Sequence, residues 1–186
     1  MRFLVRLKAT GVPTERLTAA VRAIAGTLGA DPRNPKWTSY GALELDVFCK
    51  EKDDFLLFLA AVEPLAKVEF TRDLNVPLPY RPEDALYSEA RELFNAERYW
   101  ECHEVLEGVW KTKQGDEKRL LQGVILVCAA FVHHQRNEGK VAMGVLLRSQ
   151  PLLQSSRAEV AGIDLPRLRL DVQTISDSGM FRNFRV

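Results

Sequence analysis

Asn75-Val76-Pro77-Leu78-Pro79-Tyr80-Arg81-Pro82 divides the chain into two parts with different periods. Proline has no N–H for a ladder and holds the residue before it in extended geometry, so this stretch reads as a semi-rigid joint. Before it, stretches with apolar residues at every second position alternate with helical stretches; after it, apolar residues recur at every third or fourth position throughout. The expected division is an α+β domain over residues 1–75, a linker over 76–82, and an all-α helical bundle over 83–186.

On the amino side, Phe3, Val5 and Leu7 alternate with Arg6 and Lys8, the pattern of a strand with one wet face. Pro13-Thr14 opens a helix striped by Leu17, Val21, Ile24 and Leu28. Asp31-Pro32-Arg33-Asn34-Pro35 reads as a loop, followed by a short strand near Trp37–Tyr40 and a turn at Gly41. Leu43, Leu45 and Val47 then alternate with Glu44 and Asp46. A short helix capped by Asp53 carries Phe55, Leu59 and Val62, and a last strand carries Val68 and Phe70. The order is βαββαβ, the ferredoxin-like arrangement.

On the carboxyl side, Leu86, Ala90, Leu93 and Phe94 mark one helix. Tyr99, Cys102, Leu106, Val109 and Trp110 mark a second. A third runs from about Glu117 to Gln135, and between Leu120 and Val132 only Gln122 and Gly123 break its apolar character. A helix apolar on nearly all sides is the centre of its domain, which places Val124, Val127 and Phe131 in the core. Helical signal weakens toward Leu153, and Ile163-Asp164-Leu165-Pro166 reads as part of a tail.

Composition excludes several classes. The 186 residues are 46% hydrophobic and 27% charged, and 26 basic residues face 25 acidic ones. Charge is balanced on both sides of the joint, so nucleic acid is not the expected partner. No apolar run approaches the roughly 18 residues of a membrane helix, so no membrane is expected either. Charge recurs too early in Met1-Arg2-Phe3-Leu4-Val5-Arg6 for a signal peptide. Cys49, Cys102 and Cys128 are spaced too widely for a disulfide framework or a CxxC zinc site, and read as reduced thiols of a cytoplasmic protein.

All three histidines lie between positions 103 and 134. On a helical wheel Tyr99, His103, Leu106 and Trp110 share a face, with Glu107 at its edge and Glu104 turned toward solvent. On the third helix Gln122, Ala129 and His133 share a stripe. Packed antiparallel, the two helices could bring His103 and Glu107 to Gln122 or His133, with Tyr99 and Trp110 as aromatic neighbours. His103-Glu104-Val105-Leu106-Glu107 differs from the HExxH of zinc proteases in its second ligand. An imidazole and a carboxylate at i, i+4 can still hold a divalent metal with a third ligand from elsewhere. The plainer reading is a half-buried histidine hydrogen-bonded to Glu107 and tethering two helices.

Leu93-Phe94-Asn95, then Tyr99-Trp100-Glu101-Cys102-His103-Glu104-Val105-Leu106-Glu107-Gly108-Val109-Trp110, resembles the signature of domain-of-unknown-function family 309. Leu120-Leu121-Gln122-Gly123-Val124-Ile125 with Ala129, Ala130 and His133 resembles its second motif. The resemblance covers about residues 84–150. It implies a helical bundle with no established activity, and its motif residues here are His103, Glu104, Glu107, Trp110, Gln122 and His133. The family's Gly-Asn near the end of the third helix is replaced by Arg136-Asn137-Glu138-Gly139, and its following Gly-Ala by Met143-Gly144.

Three functions stay open. One is a scaffold or small-ligand binding module, pairing as a homo-oligomer through a sheet edge or helix face. The second is a metal-dependent hydrolase built on His103, Glu107 and His133, with Glu104 or a metal-bound water as base. The third is an RNA-binding module using the sheet face.

Overall fold

A computed structural model describes residues 1–76 and 81–186; most of the expected linker lies outside the described residues. The chain separates into two compact units, one within Met1–Pro79 and one within Tyr80–Val186.

The first unit orders its elements as β1 (Arg2–Ala9), α1 (Thr14–Thr27), β2 (Asp31–Trp37), β3 (Ala42–Phe48), α2 (Lys52–Val62) and β4 (Ala66–Asp73). The strands form one antiparallel sheet in the order β2-β3-β1-β4, which is the ferredoxin-like topology. Phe3, Val5, Leu7, Leu43, Leu45 and Val47 supply one face, on which Leu17, Val21, Phe55 and Phe58 pack. Phe3 stacks on Phe55 with ring centroids 3.8 Å apart.

Three local expectations change. Asp31–Pro35 is not a loop: it is most of β2. A strand accepts Pro32 and Pro35 here because β2 pairs only with β3, leaving an edge where a missing N–H costs no ladder bond. The pairing also shifts between Arg33 and Lys36. Glu51, not Asp53, begins α2, through a reciprocal capping box with Asp54. The alternation read as a wet face is buried: Arg6, Lys36, Glu44 and Asp46 are each 5% exposed or less. Arg6 stands opposite Glu44 and Lys36 opposite Glu44 in the ladders, so the row is an ion network across three strands.

The second unit runs α3 (Glu83–Asn95), α4 (Tyr99–Trp110), α5 (Gly115–Gln135), α6 (Gly139–Ser149), a short hairpin of β5 (Glu159–Val160) and β6 (Ile163–Asp164), and α7 (Leu165–Ser178). The supposed tail therefore contains a helix. Asp164 caps it by accepting from the Arg167 N–H at 2.8 Å, with Pro166 in the first turn. Leu165, Leu168, Val172 and Ile175 form its buried stripe.

The third helix is central, as its composition implies. Leu120, Leu121, Val124, Val127, Cys128, Ala130 and Phe131 of α5 are all 1% exposed or less. Gly123 has a packing reason: a Cβ there would meet Leu153 Cδ2 at 2.8 Å and Cγ at 2.9 Å. The missing side chain admits the segment after α6 against α5. Past α7, Phe181, Phe184 and Val186 pack on the same core, and Asn95 exchanges two hydrogen bonds with the Val186 backbone.

Candidate functional site

A four-residue connection joins α4 to α5, so the two helices lie side by side and run in opposite directions. His103, in the second turn of α4, thereby comes level with His133, in the last turn of α5. Both line one cleft of about 180 Å³ with Trp100, Ala129, Val132 and Arg136.

His133 is held from behind. The end of α5 closes in a Schellman turn: Asn137 N–H donates to His134 O at 2.9 Å and Glu138 N–H to His133 O at 3.0 Å. Asn137 takes the left-handed conformation this requires, at φ 61°. Arg136 and Asn137 thus form the turn that ends α5. The turn returns the Glu138 carboxylate to His133, with Oε2 2.5 Å from Nδ1. Arg136 grips the other oxygen at 3.0 Å. A carboxylate on Nδ1 fixes the ring's orientation and leaves Nε2 as its second functional atom.

His103 has no such support. Its Nδ1 is sealed from solvent without a hydrogen-bond partner. Glu104 Oε1 stands 3.5 Å away, too far for a useful hydrogen bond. Glu107 instead lies 3.5 Å from Lys111 Nζ on its own helix. No hydrogen bond between His103 and Glu107 tethers the helices. The ligand atoms of His103, Glu104 and Glu107 nevertheless lie within 4.8 Å of one another, the one grouping of three potential metal ligands among the described residues.

The other expected members go elsewhere. Gln122 is half-buried and does not line the cleft. Tyr99 is buried among Phe94 and Phe131, and its hydroxyl donates to Asn183 Oδ1 at 3.3 Å. Burial pushes that phenol far above its ordinary range, so it is no acid near neutrality. Trp110 lies under the Lys118 ammonium, 4.4 Å from its ring centroid, while Trp100 supplies the aromatic wall of the cleft. The third histidine, His134, stacks on Phe181, and burial lowers its pKa. The Cys128 thiol contacts the Cys102 sulfur at 3.4 Å, and that hydrogen bond together with burial raises its pKa, as befits packed, unreactive thiols.

The family model of DUF309, a domain of unknown function, matches residues 87–145, which hold every residue of the cleft and of the His103 cluster. The match to DUF309 is confined to the helical unit. Residues 1–86 lie outside that match. The DUF309 unit is similar to YpuF, an uncharacterized protein of Bacillus subtilis (strain 168), at 35% identity over 79 residues. That alignment takes in 41% of this chain, and the chain spans 45% of YpuF. A conserved hypothetical protein of Thermus thermophilus, known from its crystal structure, is 36% identical, with 49% of this chain and 95% of that one covered at a TM-score of 0.42. No helix among the described residues is long and apolar enough to cross a membrane.

Proposed function

We propose that the DUF309 unit is a binding module for a small anionic molecule held in the cleft between α4 and α5. The observation that carries this reading is the convergence of His103 and His133, from two helices, on one cleft that Arg136 also lines. Imidazole and guanidinium N–H groups recognise carboxylate or phosphate oxygens, while Trp100, Ala129 and Val132 offer an apolar wall. At about 180 Å³ the cleft is smaller than the roughly 300–1,000 Å³ of drug-sized sites, which favours an acid of few heavy atoms. A hydrolase using His103, Glu107 and His133 as metal ligands has less support, because His133 is not among the potential ligands grouped around His103 and Glu107 lies 3.5 Å from Lys111 Nζ.

Titrating the full chain with inorganic phosphate or acetate should move the imidazole resonances of His103 and His133 saturably while leaving His134 in place. His133→Asn should abolish the response. Imidazole resonances unmoved at millimolar anion would sink the reading. We also propose that residues 83–186 form an independent domain. The fragment 81–186 should then show helical circular dichroism and cooperative unfolding by itself, and an unfolded fragment would refute that.

A further inference from the structure

We infer that the first unit carries a binding site for a free amino acid with an apolar side chain, in the groove between the end of α2 and the start of β4. A cavity of about 480 Å³ lies there, lined by Thr10, Leu59, Ala60, Glu63, Lys67 and Val68. That volume falls within the roughly 300–1,000 Å³ usual for small-molecule sites. Charge is the first argument. Glu63 and Lys67 both line the cavity, yet they pair neither with each other nor with any other described residue. A ligand with one charge would meet a like charge there as well as an opposite one. A molecule with both charges can set each against its opposite, and an α-amino acid carries an ammonium and a carboxylate on one carbon near neutrality.

Helix polarity orients the ligand. Glu63 is the C-cap of α2, and no basic residue stands in the last turn of that helix. The closing carbonyls of a helix carry partial negative charge, which adds to the Glu63 carboxylate instead of being offset. The ammonium therefore belongs at the end of α2 and the carboxylate at Lys67. Thr10 supplies a hydroxyl donor in the same cavity. Leu59 and Val68, both half-buried, and the small Ala60 leave an apolar wall for an aliphatic side chain.

The frame around the cavity is fixed. The N–H groups of Thr10 and Gly11, in the turn after β1, both donate to the Leu65 carbonyl oxygen, at 3.0 and 2.9 Å. A Cβ at position 11 would run into the Pro64 carbonyl oxygen, so only glycine lets the two turns close in this way. Thr10, Glu63 and Lys67 are thus carried on segments fastened to one another, which lowers the cost of ordering them around a ligand. None of these residues lines the cleft between α4 and α5.

Titration of the full chain with L-valine and L-leucine, followed by its amide resonances, tests the site. The expected result is saturable movement of the Thr10, Lys67 and Val68 amides with a Kd on the order of 1 mM, modest because both protein charges are exposed. N-acetyl-L-valine lacks the ammonium and L-valinamide the carboxylate, so each should bind about tenfold more weakly or worse. Glu63→Gln and Lys67→Met change exposed side chains, leave the circular dichroism intact, and should weaken L-valine binding by a similar factor. No saturable movement with either amino acid at tens of millimolar, an analogue that binds as well as L-valine, or unchanged affinity in both variants would each overturn the inference. The ligand's carboxylate could also enter the cleft of the helical unit, so the imidazole resonances of His103 and His133 are read in the same titration. Movement confined to those two refutes the amino-acid site and leaves the cleft reading standing.

Discussion

Replacing Phe131 with alanine is expected to destabilise the helical unit by about 3–5 kcal/mol, the usual cost of removing a buried aromatic ring. Phe131 is fully buried, and four rings surround it. Tyr99 stacks on it at 4.7 Å between centroids, and Phe94, Phe181 and Phe184 meet it edge-on at 5.8, 5.3 and 5.5 Å. These neighbours come from α3, α4 and the segment past α7, so no single movement fills the space left behind. In a unit of this size the loss lowers the thermal midpoint by on the order of 10 °C or more, readable by far-UV circular dichroism. A change under about 1 kcal/mol would mean that the aromatic cluster collapses around the gap and that α5 is not the keystone of the bundle.

Phe131 also shows what the sequence makes legible. A run apolar on every side can only be buried, so its place in the core follows from composition. Its partners Phe181 and Phe184 follow from nothing local, because they sit beyond the last helix in a segment with no periodicity. Helix α7 is marked by Asp164, Pro166 and the spacing of Leu168, Val172 and Ile175, signals that are weak when charged residues separate them. Strand β2 is hidden for a different reason. Two prolines argue against a strand until one knows that it lies at an edge, and edge position is a tertiary fact.

The candidate site divides the same way. Helical phase places His103 and His133 on facing sides, and they share a cleft. Phase also places Gln122 on the stripe of His133, but phase says nothing of height. Eleven residues separate them, about 16 Å along the axis at 1.5 Å per residue. Glu138 cannot be read from phase at all, since its approach to His133 depends on the left-handed turn at Asn137.

Glu44→Ala should cost about 3–5 kcal/mol, a large effect for one surface-patterned position in a strand. Alternation assigns Glu44 to a wet face, where an ion pair is worth about 0–1 kcal/mol. Its side chain is instead 4% exposed, with Arg6 at 6% and Lys36 at 4%. Both carboxylate oxygens are engaged: Oε2 accepts from Arg6 at 2.8 Å and Oε1 lies 3.1 Å from Lys36 Nζ. Asp46 is a poorer partner for these cations: Arg2 at 2.9 Å and Asn34 at 2.8 Å hold its Oδ2, and its Oδ1 stands 4.0 Å from Lys36 Nζ. Without Glu44, Arg6 and Lys36 lose the carboxylate they share in β3. The neighbouring cation decides the size of the effect. Lys36→Met should recover part of the loss when combined with Glu44→Leu, so that the double variant costs clearly less than the two single changes added together. Hydrogen exchange of the β1 and β3 amides localises the measurement to this sheet. A Glu44→Ala cost below about 1 kcal/mol, or strict additivity with Lys36→Met, would show that the network is screened as a surface pair is and adds little to the fold.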